Sequence, residues 1–232
     1  MLITFADRPS DSPLVERVWR SHSERAGVFH SIAACNWDMV VTRLGGRSTL
    51  TVRGPETRAT MADCPAEGEW FGVRFKVGTF MPLMRCGDLR DRNDVTLPNA
   101  TGRSFWLNGS PWDFPSFENA ETFVKRLVQR GLIMADRTVD KTLRGELQDV
   151  TTRTEQRRVL QVTGLTCGAI CQIERARRAV MLLKRGTPIL DVVFETGYYD
   201  QAHLTRSLQR FIGQTPARIA RGNEQLSLLY NS

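Results

Sequence analysis

Histidine is scarce in this chain: of three among 232 residues, only His22 and His30 precede His203. A metal centre built from several imidazoles converging from neighbouring strands is therefore not expected in the N-terminal half. Cys-x-x-Cys, His-Glu-x-x-His, a P-loop and a nucleophile elbow are all missing, and with them the usual sequence signals for zinc ligation, metalloproteolysis, nucleotide binding and serine hydrolysis. No cofactor and no enzymatic activity is expected. No stretch approaches the roughly 18 apolar residues of a membrane span, and "MLITFADRPSDSP" holds no apolar core of signal-peptide length. The expected location is cytoplasmic, without a membrane partner. In a reducing compartment Cys35, Cys64, Cys86, Cys167 and Cys171 read as thiols rather than as a disulfide frame. Cys35, Cys64 and Cys86 could meet around a soft metal or an oxidant. Cys167 and Cys171, four apart on one helix face, suit either a sensor pair or small buried residues.

With 41% hydrophobic and 25% charged residues, the chain can bury one large core or two small ones, and two units are expected. The formal charge is +7 with a pI near 9.6, which points to a polyanionic partner. The surplus is uneven: from Val139 onward there are 14 Lys/Arg against 9 Asp/Glu, a net +5, leaving +2 for the first 138 residues.

Residues 1–106 read as an antiparallel, barrel- or sandwich-like β domain. "WDMVVTRLGGRSTLTV" contains two extended runs joined at Gly45-Gly46, a dipeptide that accepts the positive φ of a two-residue hairpin turn. In "WFGVRFKVG", Phe71, Val73, Phe75 and Val77 alternate with Gly72, Arg74 and Lys76, which predicts one buried and one wet face. "LNGSPWDFPSF" carries two prolines and reads as a connector. The following "ENAETFVKRLVQRG" places Ala120, Phe123, Val124, Leu127 and Val128 on one helical stripe ended by Gly131. That helix either packs on its own domain or forms a dimer contact. The connector and helix together occupy residues 107–138.

From Val139 the pattern becomes wholly helical, with helices expected near 139–147, 153–162, 168–184, 189–196, 201–212 and 216–221, then a tail at 223–232. In "PILDVVFETGYYDQAHLTRSLQRF", Ile189, Val192 and Val193 form an inner face, Gly197 supplies a sharp turn, and Asp200 is placed to N-cap the next helix. Leu204, Leu208 and Phe211 then face a core, while Gln201, Ala202, His203, Thr205 and Arg206 are left pointing outward. Such a set can hydrogen-bond base edges or phosphates at the N-terminal end of a recognition helix.

These residues carry a resemblance. Gly197, Tyr198, Asp200, His203-Leu204, Arg206, Phe211 and Gly213-Gln214-Thr215-Pro216 match the second helix-turn-helix of the AraC/XylS family of bacterial transcription regulators, and residues 139–222 resemble its two-part DNA-binding domain. The resemblance implies an α+β chain: a β-rich effector-binding or dimerising domain, then two helix-turn-helix units joined by a linker helix. It also implies a first recognition helix in "TTRTEQRRVLQVTG", with Thr151 or Thr152 as N-cap and Arg153, Thr154, Gln156 and Arg157 outward. There the sequence departs from the family, with Glu155 and Val159 in place of an apolar residue and an aromatic anchor. Looser packing is expected, and a carboxylate beside a phosphate-facing surface. The implied function is sequence-specific, effector-responsive transcription regulation on double-stranded DNA, reading adjacent major grooves. The implied partners are a small-molecule effector, RNA polymerase if the protein activates, and a second copy in a homodimer. Trp37, Asp38, Trp70, Arg74 and Phe75 are the candidate effector contacts, as an aromatic wall with a charge at each end. Two other classes compete: a cysteine-based alkyl-transfer or thiol/metal-sensing protein fused to an AraC-like reader, and a protein-binding module without DNA contact.

Overall fold

Turn chemistry and β alternation set the N-terminal architecture. The computed structural model describes residues 3–92, 94–143 and 152–222. In chain order it runs β1 (Ile3–Arg8), β2 (Val15–Ser23), β3 (Gly27–Ser31), β4 (Asp38–Leu44), β5 (Arg47–Arg53), β6 (Thr60–Cys64), β7 (Glu69–Phe75), β8 (Thr79–Phe80), β9 (Val95–Leu97) and β10 (Asn99–Thr101). There follow β11 (Ser104–Leu107), β12 (Ser110–Asp113), α1 (Ala120–Gln129), β13 (Met134–Ala135), α2 (Arg137–Leu143), α3 (Arg153–Thr163), α4 (Cys167–Lys184), α5 (Ile189–Thr196), α6 (Gln201–Ile212) and α7 (Pro216–Arg221). The chain is α+β, with strands first and helices last.

Contacts divide the described residues into two units: 3–27, 36–55 and 64–167 in the first, and 28–35, 56–63 and 168–222 in the second. The first unit is built on an antiparallel six-stranded sheet in the order β1-β2-β7-β4-β5-β9. Its edges do not meet, so the sheet stays open and no barrel closes. Gly45 and Gly46, at φ 56° and 74°, join β4 to β5. Val18, Val41, Leu50, Val73, Phe75, Phe105 and Trp112 are buried in one core, which α1 covers with Ala120, Phe123, Val124 and Leu127. Phe123 meets Trp112 edge-on at 6.1 Å. Each large side chain buried this way stabilises the fold by about 1.5–3 kcal/mol. Val128, placed on the same stripe by periodicity, is 42% exposed.

Two expectations fail here for identifiable reasons. The alternate face of β7 is not wet: Arg74 is buried, because its cross-strand neighbour Asp38 takes its guanidinium through two 2.9 Å hydrogen bonds. A paired, forked contact of this kind makes a buried charge tolerable. The expected connector at 107–117 is not irregular throughout, since Ser110–Asp113 pairs back on Ser104–Leu107 as a hairpin.

In the second unit α4 buries Ile170, Ile173, Ala176, Val180 and Leu183, and α6 buries Leu204, Leu208, Phe211 and Ile212. The short strands β3 and β6 pair with one another in a separate two-stranded sheet. Among the described residues no helix is long and apolar enough to cross a membrane.

Candidate nucleic-acid interface

In the second unit the chain turns between α5 and α6 at Gly197, which adopts φ 69° and ends α5 in the left-handed conformation. Tyr198 follows, buried, with its hydroxyl 2.8 Å from the Ser207 Oγ and its ring edge-on to His203 at 5.1 Å. Burial raises its phenol pKa. Arg175 of α4 braces the turn from the other side, donating to the Gly197 carbonyl at 3.2 Å and lying over the Tyr198 ring at 4.9 Å. The Asp200 carboxylate then N-caps α6, accepting from the His203 N–H at 2.6 Å.

This scaffold fixes which side chains of α6 remain outside. Gln201, Ala202 and Arg206 are exposed; His203 and Thr205 are half-buried. Among the described residues Arg206 makes no hydrogen bond or ion pair, so its five N–H donors are available to an external acceptor. The Thr205 hydroxyl donates to the Gln201 carbonyl at 2.8 Å, leaving its oxygen as an acceptor only. His203 Nδ1 accepts from the Tyr199 N–H at 3.5 Å, which puts the proton of a neutral ring on Nε2 as a donor. The helix thus presents an amide, an imidazole N–H and a guanidinium within its first two turns, at the end where its backbone dipole is positive.

The other candidate helix, α3, belongs to the first unit. Thr152 is its N-cap, and Thr151 lies outside the described residues. The cap is a capping box: Thr152 Oγ1 accepts from the Glu155 N–H at 3.3 Å while Glu155 accepts from the Thr152 N–H at 2.7 Å. Glu155 is thus engaged on the N-cap backbone and remains a carboxylate in the first turn of α3, beside the outward residues. Val159 is fully buried. Thr152, Arg153, Thr154, Gln156 and Arg157 are exposed. Their neighbour Arg158 has another employment, donating from Nε to Asp136 at 2.5 Å. Asp136 is buried and its second oxygen accepts from the Thr138 and Val139 N–H groups at the start of α2. One aspartate thereby ties α2 to α3. Thr-x-x-Glu at 152–155 is a readable sequence signal for this helix start.

Four of the five effector candidates come together in the core and satisfy one another. Asp38 and Arg74 neutralise each other, and Trp37 stacks on Phe75 at 4.1 Å while its indole N–H donates to the Thr79 carbonyl. All four are buried. Trp70, by contrast, lines an open cavity of about 430 Å³ in the first unit. Arg20, His22, Arg43, Phe71 and Phe117 share that lining, and pattern reasoning missed them because they come from four separate segments. The described cysteines are free thiols. Burial pushes the Cys35 thiol far up and raises Cys86 to about 11, which opposes thiolate chemistry at either. Among the described residues, no group of three or more metal-binding side chains comes together.

Comparison with protein families matches residues 148–222 to a family described as a helix-turn-helix domain, a span that includes α3, α4, α5, α6 and α7. Comparison with curated proteins and with solved structures gave no match.

Proposed function

We propose that the chain is a DNA-binding transcription regulator of the AraC type, supported by the helix-turn-helix match at residues 148–222, with α6 its principal base-reading element and α3 a second reader. The observation that carries this is the division of α6: Leu204, Leu208, Phe211 and Ile212 are buried while Gln201, Ala202 and Arg206 lie in solvent at its capped N-terminal end. Gln201 and His203 contact base edges, and Arg206 a guanine or a phosphate. Arg153 and Arg157 supply phosphate contacts, with Thr152, Thr154 and Gln156 beside them. The linker α4, 18 residues long and hence about 27 Å, suits two readers entering successive major grooves. Effector responsiveness is part of the proposal, and the cavity in the first unit is the place for a small molecule.

Affinity for a duplex selected from a randomised pool tests the assignment. A Gln201→Ala, Arg206→Ala double variant should lose about 10- to 100-fold in affinity for that duplex, the effect of one good base-reading contact or more, and much less on random DNA. Unchanged affinity for the selected duplex would show that α6 does not read it.

A further inference from the structure

The second unit contains two pieces of chain that the helix-turn-helix match does not reach. Residues 28–35 and 56–63 leave the sheet sequence twice, between β2 and β4 and again between β5 and β7, and both belong with residues 168–222. There they pair through β3 and β6, through reciprocal 2.9 Å backbone bonds between Ala34 and Glu56, and through the Ser31 hydroxyl on the Glu56 carboxylate at 2.9 Å.

This pair ends on the recognition helix. The last carbonyls of an α-helix have no partner within the helix, and two of those in α6 are taken by residues flanking β3 and β6: Ala33 N–H donates to the Phe211 carbonyl and Ala59 N–H to the Arg210 carbonyl, each at 2.8 Å. Immediately beyond, Gly213 adopts φ 82°. A Cβ built there would lie 2.7 Å from His30 Nδ1 and 3.3 Å from the Ala59 Cβ. The C-terminus of α6 is thus held by two backbone hydrogen bonds and closed over by His30 and Ala59.

We propose that residues 28–35 and 56–63 are positioning elements of the DNA reader: the backbone N–H groups of Ala33 and Ala59 hold α6 by its C-terminus and thereby set the aim of Gln201 and Arg206 at its other end, while His30 only fills the space beside Gly213. A helix is stiff over 12 residues, so a small tilt imposed at one end displaces side chains at the other, and contacts to base edges tolerate little displacement. Both segments are covalently continuous with strands of the six-stranded sheet. The inference rests on α6 being a base-reading helix.

A cycle in the full chain tests it, using Gly213→Asn, His30→Ala and the double variant. Asparagine accepts the left-handed backbone, so the new Cβ against His30 is the main insult. Gly213→Asn should lower affinity for the selected duplex at least tenfold, with a smaller loss on random DNA. His30→Ala should bind within about threefold of the parent, and in the double variant most of the lost affinity should return. Wild-type affinity in Gly213→Asn, or no recovery in the double variant, would overturn the proposal, since a simple helix-cap defect gains nothing from removing His30. Amide hydrogen exchange separates this from failure of the DNA reading. If the parent selects no duplex, the α6 assignment fails, and the positioning contacts are then read from the Ala33 and Ala59 amides. Those should be protected together with α6, lose protection in Gly213→Asn and regain it in the double variant. Fast exchange at Ala33 and Ala59 in the parent would refute the contacts themselves.

Discussion

Arg157 and Arg158 are neighbours with opposite roles. Arg158 donates to the nearly buried Asp136 carboxylate, so Arg158→Gln weakens the neutralisation of a charge held away from water. The expected cost is about 1 kcal/mol, since Arg158 is half exposed and Asp136 keeps its two backbone donors, measured by chemical denaturation. Arg157 is exposed and touches no carboxylate among the described residues, so Arg157→Gln should leave stability within about 0.5 kcal/mol. It should instead weaken binding to all duplexes and reduce the salt slope by about one. Equal effects of the two changes on stability would refute this division. The thiols follow the same logic of burial. Native alkylation followed by mass spectrometry should label the exposed Cys171 first, while buried Cys35 and Cys86 react only on unfolding.

At the scale of elements, α1 is fastened to β1 by Arg8, which donates to both oxygens of Glu121 at 2.6 and 2.9 Å. This forked contact pulls the Glu121 pKa down to about 2 despite partial burial. A carboxyl depressed on folding adds stability above its unfolded pKa, and that stability is lost as pH falls through the folded value. Both side chains are 31% exposed, so solvent screening holds the contribution to about 1 kcal/mol. Glu121→Gln should therefore destabilise the protein by that amount at pH 7 and flatten the stability loss between roughly pH 4.5 and 2. A parallel pH profile in parent and variant would contradict it. The helices of the C-terminal region were legible in the sequence because apolar spacing, caps and glycine stops agree at each end, as at Asp200 and Gly213. The β11–β12 hairpin was less legible, although Asn108-Gly109 is a strong turn signal and both residues have positive φ, because the adjacent prolines suggested a connector. Arg74 was misread since alternation reports hydrophobicity and carries no information about a distant cross-strand carboxylate.

For the whole molecule, contacts group the chain into two units that each draw on residues from both sides of residue 139. α2 and α3 belong to the first unit, and residues 28–35 and 56–63 belong to the second. Such grouping depends on long-range pairing, which no local motif encodes. The candidate site divides in the same way. The outward polar residues of α3 and α6 were legible from amphipathic spacing, whereas the cavity was not, because its lining comes from several strands and the segment before α1. The account's central claim is that Gln201 and Arg206 read bases while other contacts supply grip. Its most direct test is to select preferred duplexes from one randomised pool with the parent and with the Gln201→Ala, Arg206→Ala variant. The parent should select two sequence blocks about one helical turn, roughly 10 base pairs, apart, and the variant should lose the conservation of one block while keeping the other. An identical pair of blocks from both proteins would contradict the account.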